Sequence, residues 1–231
     1  MKVWGNNSSQ PSRTIHYVLQ KLSIEYEFHN VQLIKDTRTE EFKKDVNPRG
    51  KVPVIEIDGQ KLTESTAIAR FLINKYDPEN ELYPSTDIFK RAKIDEWIAI
   101  SNESYRPTFG PAYMGLVFNP VLVGKPLVEG DEATQLMEGV KNNLKDLNEN
   151  LEGKKFILGE TMTLADIFIF NEVVFIVDIL DIETAGTYDN IKAWLEEVQL
   201  DPIIKDITEE LKHSIEGFRE MTKTKEEAKD D

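Results

Sequence analysis

Residues 47–68 decide how this chain folds: Asn47-Pro48-Arg49-Gly50-Lys51-Val52-Pro53-Val54-Ile55-Glu56-Ile57-Asp58-Gly59-Gln60-Lys61-Leu62-Thr63-Glu64-Ser65-Thr66-Ala67-Ile68. Val54, Ile55 and Ile57 are strand formers. Asp58-Gly59 is a two-residue hairpin signal. Thr63-Glu64-Ser65 then opens an apolar pattern at Ile68, Phe71, Leu72 and Tyr76, which is helical spacing. The stretch reads strand, tight turn, strand, helix. Two places in it are unusual: Val52-Pro53, where a strand begins, and Glu64-Ser65, where a helix begins.

Upstream, residues 2–5 read as a short strand and Asn6 to Gln10 as a polar loop. Pro11 suits the first position of a helix, which places the cap on Gln10 and sets Ser9 just outside. Ile15, Val18, Leu19 and Leu22 mark that helix's buried face. Tyr26 to Val31 alternates like a second strand, and Thr39 to Val46 forms a short polar helix. A strand, a crossover helix and a strand give a βαβ unit. The hairpin adds two antiparallel strands and its helix covers the sheet. The expectation is an α/β domain over 1–78.

Downstream, residues 79–87 read as a linker and 88–222 as an all-helical domain. Ile88 to Tyr105 is helical and stops before Pro107. Phe109 to Gly130 is apolar but interrupted by Pro111, Pro120 and Pro126, so it is not expected to be one regular helix. Asp131 to Leu151, Thr163 to Leu180, Tyr188 to Val198 and Pro202 to about Phe218 supply further helices. The charged tail 223–231 has no apolar face and is expected to be disordered.

Composition limits the function. The 231 residues carry a net charge of −14, which argues against a nucleic-acid surface. No apolar run approaches the length of a membrane span and no leader pattern opens the chain, so no membrane association and a cytoplasmic location are expected. Cysteine is absent, which removes a thiol nucleophile and thiolate metal sites. His16, His29 and His213 lack ligand spacing and read as ordinary surface or boundary residues; no metal is expected.

Four stretches carry a family resemblance. They are Ser8-Ser9-Gln10-Pro11-Ser12-Arg13; Val31-Gln32-Leu33-Ile34-Lys35; Asn47 to Ile68; and Glu103 to Gly110 together with Thr163-Leu164-Ala165-Asp166. Their order and spacing resemble cytosolic glutathione S-transferases, the theta class first and the delta class next. The resemblance implies a thioredoxin-like N-terminal domain, an all-helical C-terminal substrate domain, and a homodimer. It also implies attack by the glutathione thiolate on a hydrophobic electrophile, with glutathione as co-substrate and no cofactor.

By the same resemblance, Ser9 donates a hydrogen bond to the sulfur, with Ser8 its rival, and Gln10 beside it is a glutathione-binding residue. Glu64 and Ser65 hold the γ-glutamyl end, where unpaired helix N–H groups suit a carboxylate; a plain helix cap is the other reading. Val52-Pro53 resembles the family's cis-proline and presents the Val52 backbone to the cysteinyl part, although a trans proline is commoner at a strand start. Lys51 meets the glycine carboxylate. Arg38 stands near a position where theta enzymes often carry histidine, a departure that leaves an exposed helix arginine as the alternative. Arg106, Tyr113 and Met114 line the electrophile site, and Glu103 reaches the partner's glutathione; a solvated face and core packing are the ordinary readings of these four. Thr163 to Asp166 reads as a capping box with a folding role. A ligand carrier, or an interaction module like that of elongation factor gamma, remains open.

Overall fold

The computed structural model describes residues 1–230, with Val121 and residues 221–230 as backbone; the expected tail 223–231 falls on side chains and a last residue outside those described. The chain divides into two compact units, Met1–Ile98 with Leu158–Asn171, and Ala99–Ile157 with Glu172 onward.

The first unit contains β1 (Lys2–Gly5), α1 (Gln10–Lys21), β2 (Glu27–Asn30), α2 (Glu40–Asp45), β3 (Val54–Ile57), β4 (Gln60–Thr63) and α3 (Ser65–Tyr76). Most of α4 (Ile88–Ile100) and the first half of α7 (Leu164–Ile179) also belong to it. The sheet order is β2-β1-β3-β4. β1 and β2 run parallel, while β3 is antiparallel to both β1 and β4. This is the expected thioredoxin-like arrangement. Asp58 and Gly59 have φ of 52° and 77°, the paired positive values that a two-residue I′ hairpin requires.

α1 buries Ile15, Val18 and Leu19 as its spacing predicts. α3 departs from expectation. Its buried face is Ile68, Ala69, Leu72 and Ile73, whereas Phe71 and Tyr76 stay 38% and 45% exposed. Those two rings lie beneath the Lys75 ammonium, 5.6 and 5.7 Å from their centroids, so a cation covers them in place of the core. α3 and α4 are tied through Asp95, which accepts from Arg70 at 2.6 Å and from the Tyr83 hydroxyl at 3.1 Å.

His16 also departs from the surface or boundary reading. It is 7% exposed, with its ring edge-on to Phe28 at 4.4 Å. Nε2 is buried without a hydrogen-bond partner. Burial lowers its pKa from 6.5 to about 4. A lowered folded-state pKa means the unfolded chain binds the proton more readily. Stability is therefore complete above about pH 6.5 and falls toward pH 4, by roughly 3 kcal/mol for this one group. Urea unfolding of wild type and His16→Leu at pH 7 and pH 4 checks this; the acid-side loss should shrink by that amount in the variant, and equal losses would refute it.

In the second unit, α5 (Arg106–Tyr113), α6 (Gly130–Asn150), α8 (Asp189–Val198) and α9 (Pro202–Asp230) join the ends of α4 and α7. The expected stop before Pro107 does not occur, while Phe109 to Gly130 is, as expected, not one regular helix. The chain stays helical to Val123 through two π segments, Ser101–Tyr105 and Met114–Val123. Pro107 is the second residue of α5, directly after a π turn, where the regular i→i−4 ladder is already altered. Pro111 and Pro120 are accommodated inside α5 and the second π segment. At α7, Asp166 Oδ2 accepts from the Thr163 N–H at 2.8 Å and from its hydroxyl at 2.9 Å, which is the expected capping role. No helix among the described residues is long and apolar enough to cross a membrane.

Candidate functional site

The strand register gathers the predicted residues of the first unit. Trp4 pairs with both His29 and Val54, and Val54 pairs with Thr63. The carboxyl ends of β1, β2 and β4 and the amino end of β3 therefore share one edge of the sheet. From that edge emerge the Ser9 loop, the segment bearing Arg38, Lys51-Val52-Pro53, and Glu64-Ser65. Four strands about 4.8 Å apart span roughly 14 Å. An extended tripeptide, at ~3.5 Å per residue, fits within that span.

Ser9 is the N-cap of α1, and Gln10, not Pro11, is its first residue. The Ser9 Oγ accepts the Ser12 N–H at 3.4 Å. A hydroxyl has one proton and two lone pairs, so the cap occupies a lone pair and leaves the proton to be donated. Capping and donation to a ligand are thus compatible at Ser9. The macrodipole of α1 adds positive potential there. Ser8 is exposed, and its N–H donates to Asn6 Oδ1 at 2.8 Å. The Asn6 amide donates to Asn30 Oδ1 and the Val31 carbonyl, at 3.2 and 3.0 Å, which fastens the loop to the end of β2. Gln10 is buried.

The next segment is built on Asn47, which is 2% exposed. Its Nδ2 donates to the Lys51 carbonyl at 2.7 Å, and its Oδ1 accepts the Arg49 N–H at 3.0 Å. Gly50, at φ +60°, lets this turn press on the Thr37 carbonyl. Thr37 is itself buried, so the segment carrying Arg38 lies against the turn carrying Lys51. Arg38 and Lys51 are both exposed. The Val52–Pro53 peptide bond is cis.

Ser65 is the first residue of α3 and not its cap; Glu64 occupies the cap position at φ 69° and makes no side-chain cap bond. The plain-cap reading of Ser65 is therefore replaced by a helix start without a side-chain cap, the arrangement that receives anions. A positive φ is uncommon for a non-glycine residue. The Glu64 carboxylate meets Arg49 Nη1 at 2.8 Å, joining the start of α3 to the turn that precedes Val52-Pro53.

In the second unit, Glu103 is exposed on the first π segment. Arg106 is partly exposed and pairs with Glu172, whose side chain is buried. Tyr113 stands edge-on to Phe118 and Phe175, with centroids 5.8 and 5.0 Å apart. Met114 begins the second π segment. Burial first, and the Asp146 charge second, push the Tyr105 phenol above its usual range. Among the described residues no group of His, Cys, Asp or Glu gathers to hold a metal.

Residues 5–80 match the family described as "Glutathione S-transferase, N-terminal domain", and residues 105–202 its C-terminal domain. The chain belongs to the glutathione S-transferase family. Its glutathione S-transferase relatives include the theta-1 protein of Mus musculus, 32% identical over 167 residues, with 72% of this chain and 69% of that protein covered. The theta-2 protein of Rattus norvegicus is 32% identical over 171 residues, covering 72% and 67%. Among solved structures, human glutathione transferase theta-2 in complex with glutathione and an unknown ligand superposes with a TM-score of 0.85 at 25% identity, covering 96% of this chain and 91% of that one.

As a glutathione S-transferase the chain also shows what its sequence concealed. Asn47, which organises the turn before Pro53, carries only the weak signal of an Asn-Pro pair. Arg49, the partner of Glu64, resembles any exposed loop cation. Arg13, fully buried, and Glu172, the partner of Arg106, sit at positions where periodicity predicts only a polar or an apolar helix residue.

Proposed function

We propose that this glutathione transferase lays glutathione along the sheet edge and stabilises its thiolate with the Ser9 hydroxyl. The observation that carries this reading is the Ser9 geometry: an oxygen already accepting the Ser12 N–H, at the start of α1, with its proton still to donate. A free thiol titrates near ~8.5 and is only a few per cent ionised at neutral pH. A donor to the charged form lowers that pKa.

The remaining contacts follow from the edge. Ser65 and the first N–H groups of α3 take the γ-glutamyl carboxylate. Glu64 takes the ammonium with the oxygen that Arg49 leaves open. Val52, set by Pro53, pairs through its backbone with the cysteinyl unit in the manner of an added strand. Lys51 and Arg38 neutralise the glycine carboxylate, and Gln10 packs beside the sulfur. Tyr113, Met114 and Arg106 receive the hydrophobic electrophile. The enzyme works as a cytoplasmic homodimer in which Glu103 reaches the partner's glutathione. Sedimentation equilibrium should give the mass of two chains, and a single-chain mass would refute that assembly.

Two measurements test the activity. The protein should be retained on immobilised glutathione, and it should turn over a simple aryl or alkyl halide in a glutathione-dependent way. Retention without turnover would overturn transfer in favour of carriage, and failure of both would indicate an interaction module.

A further inference from the structure

The Ser9 loop is held from both sides. Asn6 fastens it to the end of β2, as described above. The second fastening comes from Arg13, which is 0% exposed. Its Nη1 donates to the Asn7 carbonyl at 3.0 Å, two residues before Ser9. Its Nε and Nη2 donate to the side-chain and backbone oxygens of Asn171, at 2.9 and 2.8 Å. Asn171 is also buried, and its Nδ2 donates to the Ile167 carbonyl and to Thr14 Oγ1, at 2.9 and 3.2 Å. Thr14 in turn donates to the Gln10 carbonyl at 3.3 Å. Asn171 thus ties both ends of the Asn7–Gln10 segment to α7: the Asn7 end through Arg13 and the Gln10 end through Thr14.

A guanidinium away from water is costly unless its donors are occupied. Its planar fork fixes the direction of each bond it makes. One of those bonds is directed at an irregular loop, and it adds to the hold of Asn6 and the cap. A donor at a reacting atom is effective only when its position is fixed before the ligand arrives.

We propose that Arg13 and Asn171 are positioning residues for the reaction, holding the Ser9 hydroxyl where it meets the sulfur; this rests on Ser9 being the thiol partner. Both are fully buried behind the loop, at 0% and 1% exposure. The effect passes through the Asn7 carbonyl to the direction of the Ser9 O–H.

The test measures the pKa of enzyme-bound glutathione from the thiolate's ultraviolet absorbance against pH, alongside kcat and KM. Arg13→Lys keeps the cation but loses the fork, so it should raise the bound-thiol pKa by about one unit. That lowers kcat/KM about tenfold below the pKa, with the glutathione KM changed less than threefold. Asn171→Ala should act in the same direction, and Asn171→Asp, which restores an acceptor for Arg13 but cannot donate to Thr14, should bring the pKa part of the way back. In the double variant with Ser9→Ala, Arg13→Lys should add no further shift, because both act through one hydroxyl. Folding is checked by circular dichroism; if Asn171→Ala does not fold, Arg13→Lys decides alone. Folded Arg13→Lys with a wild-type pKa, where Ser9→Ala does raise it, overturns the positioning role. If Ser9→Ala leaves the pKa unchanged, the thiol-partner reading itself fails.

Discussion

Ser9→Ala should lower glutathione-dependent turnover by ~10²–10³, the usual loss when one donor to developing negative charge is removed. The glutathione KM should change little, because the proposed arrangement holds the peptide at Lys51–Pro53 and Glu64–Ser65. The substitution also deletes the cap contact to Ser12, which costs about 1 kcal/mol of stability. Ser9→Asn separates the two effects. It retains a capping acceptor and recovers the stability, but its shape does not restore a hydroxyl at the sulfur, so turnover stays low. Ser8→Ala should be close to wild type, since Ser8 is exposed and donates to Asn6 from its main-chain N–H. Steady-state kinetics with a simple halide checks all three. Normal turnover in Ser9→Ala, or its loss in Ser8→Ala, refutes the assignment.

Gly50→Ala should be the most damaging glycine substitution in the first unit. A Cβ built there lies 2.5 Å from the Thr37 carbonyl oxygen, a main-chain atom with no rotamer to change, and φ is +60°. Left-handed strain and overpacking together cost on the order of 3 kcal/mol. For a chain of this size the melting temperature should fall by about 10 °C. Relief requires the Asn47–Lys51 turn to lift from Thr37, which displaces Lys51 and Val52, so the glutathione KM should rise as well. Gly59→Ala is the control: φ is +77°, but nothing lies within 4 Å of the added atom. Its loss should stay near ~1 kcal/mol, with KM unchanged. Thermal melts of the two variants check the difference, and equal losses would show that contact with Thr37 is not the cause.

Local chemistry made the first unit legible in the sequence. Asp58-Gly59 announces a hairpin, and the alternation around Val54 and Ile57 announces its strand. The helical spacing after Ser65 and the order of elements did the rest. Legibility stopped where tertiary context overrides a local rule. Pro107, Pro111 and Pro120 look like helix stops, yet π segments and a first-turn position absorb them. Phe71 fits the apolar stripe of α3, but Lys75 covers it in place of the core. Ser9 reads as lying outside the helix because Pro11 is such a strong starter, while the first turn begins one residue earlier. Arg13 and Glu172 are polar residues whose partners, Asn171 and Arg106, are distant in the chain, and no window of local sequence contains both members of either pair.

The register that brings Trp4, Val54 and Thr63 side by side has a thermodynamic corollary. A ligand spanning the ends of β1, β3 and β4 finds no half-site in a chain whose strands are unpaired, so it binds only the native state. Such a ligand at about a hundred times its dissociation constant deepens the native well by roughly 2.7 kcal/mol. In a cell rich in its own co-substrate, the working stability of this fold would then be a property of the protein and the metabolite pool together.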